Sequence, residues 1–92
     1  MTEKEYAALL ELANAWDAVG NTHQREMRRF RGLADHAQRS GNKERQDFFR
    51  AEAVNHEIRA QIFKDVSKVL AVKLGEMQKQ QGASSTPLKA SA

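Results

Sequence analysis

Apolar residues recur every three or four positions along most of this chain, which is the spacing of one face of an α-helix. From the N-terminus, Leu9, Ala13, Trp16, Gly20, His23, Met27, Phe30, Ala34 and Ala37 step alternately by four and by three. Thr2 with Glu5 three residues on is a capping box, so the first helix should begin near residue 3. Gly20-Asn21-Thr22 reads locally as a stop and restart, with glycine past one helix end and Thr22 capping the next. The apolar phase nevertheless passes through it, and a loop would ordinarily lose that register. A continuous or merely kinked helix over about residues 3–39 is therefore expected.

Ser40-Gly41-Asn42 is a clearer break, with Arg39 in the last turn before it and Asn42 placed to cap a second helix. That helix should run from about Lys43 to Gln81, interrupted only by Gly75. Its apolar positions (Phe48, Ala51, Ile58, Ile62, Phe63, Val66, Val69, Leu70, Leu74 and Met77) cover an arc of roughly 160° at 100° per residue. Folding back at Gly41 sets residues whose numbers sum to about 82 against one another. Gly20 would then face Phe63, Trp16 would face Val66, and Leu9 would face Lys73-Leu74.

The expected fold is thus all-α, an antiparallel helical hairpin of two long helices. One neighbour cannot cover so wide an apolar arc, so a second layer is needed. Two hairpins joining into a four-helix homodimer would supply it through Ile58, Ile62, Val66, Val69 and Met77. The alternative is a three-helix bundle broken at Gly20-Asn21-Thr22. Residues 1–81 form the helical domain, and the small, polar, aperiodic residues 82–92 read as a disordered tail.

Composition narrows the chemistry. The chain has 92 residues, enough for one domain, and no cysteine, which removes disulfides and thiolate catalysis from consideration. The apolar stretch Ile58–Leu74 is interrupted by Arg59, Lys64, Asp65, Lys68 and Lys73 and cannot span a bilayer. The acidic start is unlike a signal peptide, so a cytoplasmic location is expected.

Net charge is +3 but unevenly placed, and all eight arginines fall between Arg25 and Arg59. Residues 1–22 carry one lysine against four acids, whereas residues 23–64 carry ten basic side chains against six acids. Arg25, Arg28, Arg29, His36 and Arg39 share an acid-free arc on the face opposite Met27, Phe30 and Ala34, and Gly32 lies at its centre. Arg45 and Arg50 extend the basic surface across the turn. The planar guanidinium fork suits phosphate and carboxylate, so these seven side chains are candidates for an anionic partner, either nucleic-acid backbone or an acidic protein surface. A solvated face balanced by Glu26, Glu44, Asp47 and Glu52 is the plainer account of the same residues.

Other chemistry finds little footing. His23, His36 and His56 have no helical three- or four-residue spacing among themselves. Glu52 and His56 lack further ligands, so neither metal nor cofactor is expected. His23 and His56 fall on the buried side and should be hydrogen-bonded there. Asn55, Arg59 and Lys73 intrude on the apolar arc; Arg59 and Lys73 should snorkel, and Asn55 could join His56 in a polar layer near Glu26 and Met27. No serine stands in a nucleophile motif, and two helices offer little room for a concave pocket for a small-molecule substrate.

Residues Ala13–Asn21 resemble the first helix of a tetratricopeptide repeat, whose glycine at this spacing lies inside the helix. No second copy appears about 34 residues later, so the resemblance stays local. The expected function is stoichiometric, non-enzymatic binding through the arginine face. The competing expectation is a protein-interaction module or inhibitor that docks a partner through the surplus apolar face of the second helix.

Overall fold

A computed structural model describes the backbone of residues 2–91 of the chain and the side chains of residues 2–80. It consists of two helices, α1 (Glu3–Arg39) and α2 (Lys43–Ser91), folded into an antiparallel hairpin. The side chains of the tail expected at 82–92 lie outside the described residues.

Each boundary follows from its capping chemistry. The Glu5 backbone N–H donates to the Thr2 hydroxyl at 3.1 Å, and that hydroxyl in turn lies 3.1 Å from Oε1 of Glu5. At the far end Gly41 takes φ +75°, which a residue with a Cβ adopts only at a cost. Its N–H donates to the Gln38 carbonyl at 3.1 Å and the Asn42 N–H to the Ala37 carbonyl at 2.9 Å, the paired bonds of a Schellman motif. Asn42 then caps α2, its Oδ1 accepting the Arg45 N–H at 3.1 Å.

Helix α1 passes unbroken through Gly20-Asn21-Thr22, which sets aside the three-helix alternative with a break there. Thr22 does not cap a new helix. Its hydroxyl bonds back to the Ala18 carbonyl at 3.1 Å, the arrangement a threonine adopts inside a helix.

The seam between the helices is built mostly from small residues spaced seven or fourteen positions apart. Ala13, Gly20 and Ala34 are buried on α1, and Ala53, Ala60, Ser67 and Leu74 are buried on α2. Small side chains let the two backbones approach closely, so an atom of one helix can reach the backbone of the other. The Ser67 hydroxyl donates to the Ala13 carbonyl at 2.6 Å, a buried bond across the seam. A Cβ added to Gly20 would stand 3.3 Å from the Ala60 carbonyl oxygen.

The pairing differs from the sequence expectation by about two residues. Ala13 with Ser67, Asp17 with Lys64, His23 with His56 and Phe30 with Phe49 give residue numbers adding to about 80. The Schellman turn consumes so little chain that the hairpin pivots at Ser40. Gly20 accordingly meets Ala60 and Lys64, not Phe63, and Val66 is left 40% exposed.

Toward the turn, aromatic rings fill the seam. Phe63 stacks on His23 (centroids 5.7 Å), His23 meets His56 (5.1 Å), His56 stacks on Phe30 (5.4 Å), and Phe30 contacts Phe49 (6.0 Å). Such offset rings add stabilisation beyond the area they bury.

Candidate functional site

Two surfaces remain after the hairpin closes, and each lies on the side of its helix away from the seam.

The first is the outer face of α2. Ile58, Ile62, Val66, Val69 and Met77 are all exposed, between 40% and 61%. Val54 and Val72 are each 51% exposed and extend the stripe at helical spacing from Ile58 and Val69. At about 100° per residue, Ile58, Ile62 and Val69 sit within roughly 40° of one another and nearly opposite Ala60, Ser67 and Leu74. Helix α2 is therefore apolar on two opposed faces, only one of which α1 covers. Sequence reasoning found five of these residues and missed Val54 and Val72. The wheel drawn from Ile58 would have included both.

Polar side chains border and interrupt this stripe, Asn55 and Lys73 falling between Ile62 and Val66 around the helix. Arg59 and Asn55 are exposed, so Asn55 is outside the polar layer considered for it. Lys73 reaches its own Glu76 at 3.6 Å with both side chains more than half exposed. One flank of the hairpin is ionic, with Lys64 to Asp17 at 3.2 Å and Arg31 to Glu57 at 3.4 Å. A shallow groove of about 320 Å³ runs along it, lined by Arg31, Asp35, Arg50 and Glu57 among others. Its charges are of both signs and partly paired, so it favours no particular ligand.

The second surface is the turn-proximal half of α1. Arg25, Arg28, Arg29, His36 and Arg39 are exposed, as are Arg45 and Arg50 on α2. Of these seven, Arg29 alone is in an ion pair among the described residues, donating to Glu26 at 2.8 Å while its guanidinium lies 4.6 Å over the Phe30 ring. Arg25 donates to the Thr22 hydroxyl at 3.2 Å. The Arg29 guanidinium beside Glu26 holds that carboxyl below its usual range. Gly32 has nothing within 4 Å of the position a Cβ would take, so the centre of the basic face is open.

The histidines resolve as a pair. Nδ1 of His23 and Nδ1 of His56 lie 2.8 Å apart and half-buried. One nitrogen must donate and the other accept, so at least one ring is neutral. Burial lowers the His23 pKa below its ordinary 6.5, and the nearby His56 and Arg59 add to that, with Glu26 opposing. Among the described residues no group of three or more histidines, cysteines or carboxylates is placed to hold a metal ion. No helix is long and apolar enough to cross a membrane, again among the described residues.

Comparison with family models, with curated proteins and with solved structures produces no match to this chain.

Proposed function

We propose that the protein is a non-enzymatic, stoichiometric binding module of the cytoplasm whose docking surface is the outer face of α2. One observation carries this reading: seven aliphatic side chains from Val54 to Met77 stand 40–61% exposed in a single stripe on the far side of α2 from α1. Burying the exposed half of each would contribute roughly 1 kcal/mol per side chain. A monomer gains nothing by displaying them, and contiguous apolar patches of this kind mark interaction sites. The complement that fits best is another apolar helical face, which makes a four-helix bundle of two hairpins the natural assembly.

The test is a charge placed in the stripe. Ile62→Glu and Val69→Glu should each abolish association in sedimentation measurements while helical circular dichroism persists, because both side chains lie outside the seam. If association survives both substitutions, the docking surface is elsewhere.

The arginine face favours a second, compatible reading, contact with an anionic partner. Its support is that Arg25, Arg28, Arg29, His36 and Arg39 are exposed on α1, with Arg45 and Arg50 exposed across the turn on α2, and that among the described residues Arg29 alone of the seven is engaged by a carboxylate. Binding to a polyanion such as duplex DNA or heparin would weaken steeply with salt as counterions are released. Arg25→Glu, Arg28→Glu and Arg29→Glu combined should remove it and leave α2 docking untouched. An unchanged salt slope in that triple variant would sink the arginine reading.

A further inference from the structure

We infer that the occupant of α2's outer face is a second copy of this chain lying antiparallel, α2 against α2, with the two-fold axis between Val66 and Val69. The inference rests on the docking reading above and adds the identity and direction of the partner.

Three observations converge on it. The first is the charge layout along the hairpin. The turn half, residues 23–64, carries ten basic side chains against six acids. The open half, residues 2–22 with 65–80, carries four lysines against six acids. Each hairpin is thus positive at the turn and negative at the open end. Two copies side by side in parallel would set positive half on positive half, whereas the antiparallel arrangement carries the two basic turn ends to opposite ends of the dimer.

The second is the symmetry of the stripe. Ile58 and Met77 bound the five residues expected from the sequence, and the point midway between them falls between Val66 and Val69. A two-fold axis there brings Ile58 to the partner's Met77 and Val66 to the partner's Val69. Ile62 then covers the methylene stem of the partner's Lys73, whose ammonium is already directed to its own Glu76.

The third is the polar border. In the same register Arg59 meets the partner's Glu76, and symmetry forms this opposite-charge contact twice. A parallel dimer would instead place Arg59, Asp65, Lys73 and Glu76 each against its own copy, four like-charge juxtapositions along one interface.

The chain has no cysteine, so single spin labels can be placed without background. Lys68→Cys lies beside the proposed axis and Asp47→Cys lies toward the turn, both on exposed positions of α2. At 1.5 Å per residue the antiparallel dimer separates the two Asp47→Cys labels by about 60 Å along the axis, while the Lys68→Cys labels stay on neighbouring helices. Pulsed dipolar spectroscopy on the full chain should therefore give a short distance for Lys68→Cys and a long one, about 60 Å, for Asp47→Cys. Short distances for both labels would overturn the antiparallel assignment and leave the docking reading standing. Light scattering that shows a monomer, with no intermolecular distance at either label, would overturn both.

Discussion

Gly20 and Gly32 offer a controlled comparison, because both are helix-interior glycines in α1 and only Gly20 faces α2. Replacing either by alanine should gain about 1 kcal/mol of helix propensity. At Gly32 nothing lies within 4 Å of the new Cβ, so Gly32→Ala should keep that full gain. At Gly20 the new Cβ would stand 2.8 Å from Cγ of Lys64, 3.3 Å from the Ala60 carbonyl oxygen and 3.5 Å from the Lys64 backbone nitrogen. The Lys64 stem can swing only by loosening its 3.2 Å pair with Asp17, and the Ala60 carbonyl is backbone. Relief requires the helices to part by a few tenths of an ångström. Overpacking of this kind costs about 1–3 kcal/mol, which outweighs the propensity gain. Gly20→Ala should then be destabilised by about 1 kcal/mol, a gap of roughly 2 kcal/mol between the two variants. At this chain length that corresponds to about 10 °C in Tm. Thermal melts followed by circular dichroism at one fixed protein concentration measure it, the fixed concentration keeping any association constant. If both variants are stabilised equally, Gly20 is not where the helices meet, and the small-residue seam is wrong.

The same geometry has other consequences. The lowered His23 pKa means that the unfolded chain binds more protons than the folded one below about 6.5, so the hairpin should lose stability as pH falls through that range. Urea unfolding at about pH 7.5 and about pH 5 should show the drop, and His23→Phe, which removes the titrating group, should flatten it; equal stability of the unmodified chain at the two pH values would show that burial does not lower the His23 pKa. Glu26 also favours the higher pH, but its window lies below its ordinary 4.5, so it does not account for a change at higher pH. Ser67→Ala removes the 2.6 Å bond to the Ala13 carbonyl and should cost about 1 kcal/mol, read as a lower urea midpoint with an unchanged slope. Asn42→Ala removes the cap on α2 and should cost about 0.5–2 kcal/mol in the same assay, without altering the oligomeric state.

The long-range architecture was legible because periodicity and capping report directly on helices. The Thr2–Glu5 box, the glycine at 41, the cap at Asn42 and the continuity through Gly20 all appear in the structure where the pattern placed them. The placement of His23 and His56 on the buried side was also legible, although their direct contact was not. The pattern hid the seam. Hydrophobic periodicity weights large side chains, so Ile58, Ile62 and Val66 looked like parts of the same face as Phe63 and Leu74. The true contact line runs through Ala53, Ala60 and Ser67, residues with little apolar signal. Their seven-residue spacing, matched on α1 by Ala13 and Gly20 and, two intervals on, by Ala34, was the available clue. Once the small residues take the seam, the wide arc on α2 separates into an inner and an outer stripe. The surplus apolar surface inferred from the arc's width is the outer one.

The proposed function turns on that outer stripe being an association surface. The molar mass of the unmodified chain by light scattering, across a dilution series and beside Ile62→Glu, measures this most directly. An association surface there predicts twice the chain mass for the unmodified protein and a single chain mass for the variant, with both fully helical. A single chain mass for the unmodified protein at every concentration would contradict it.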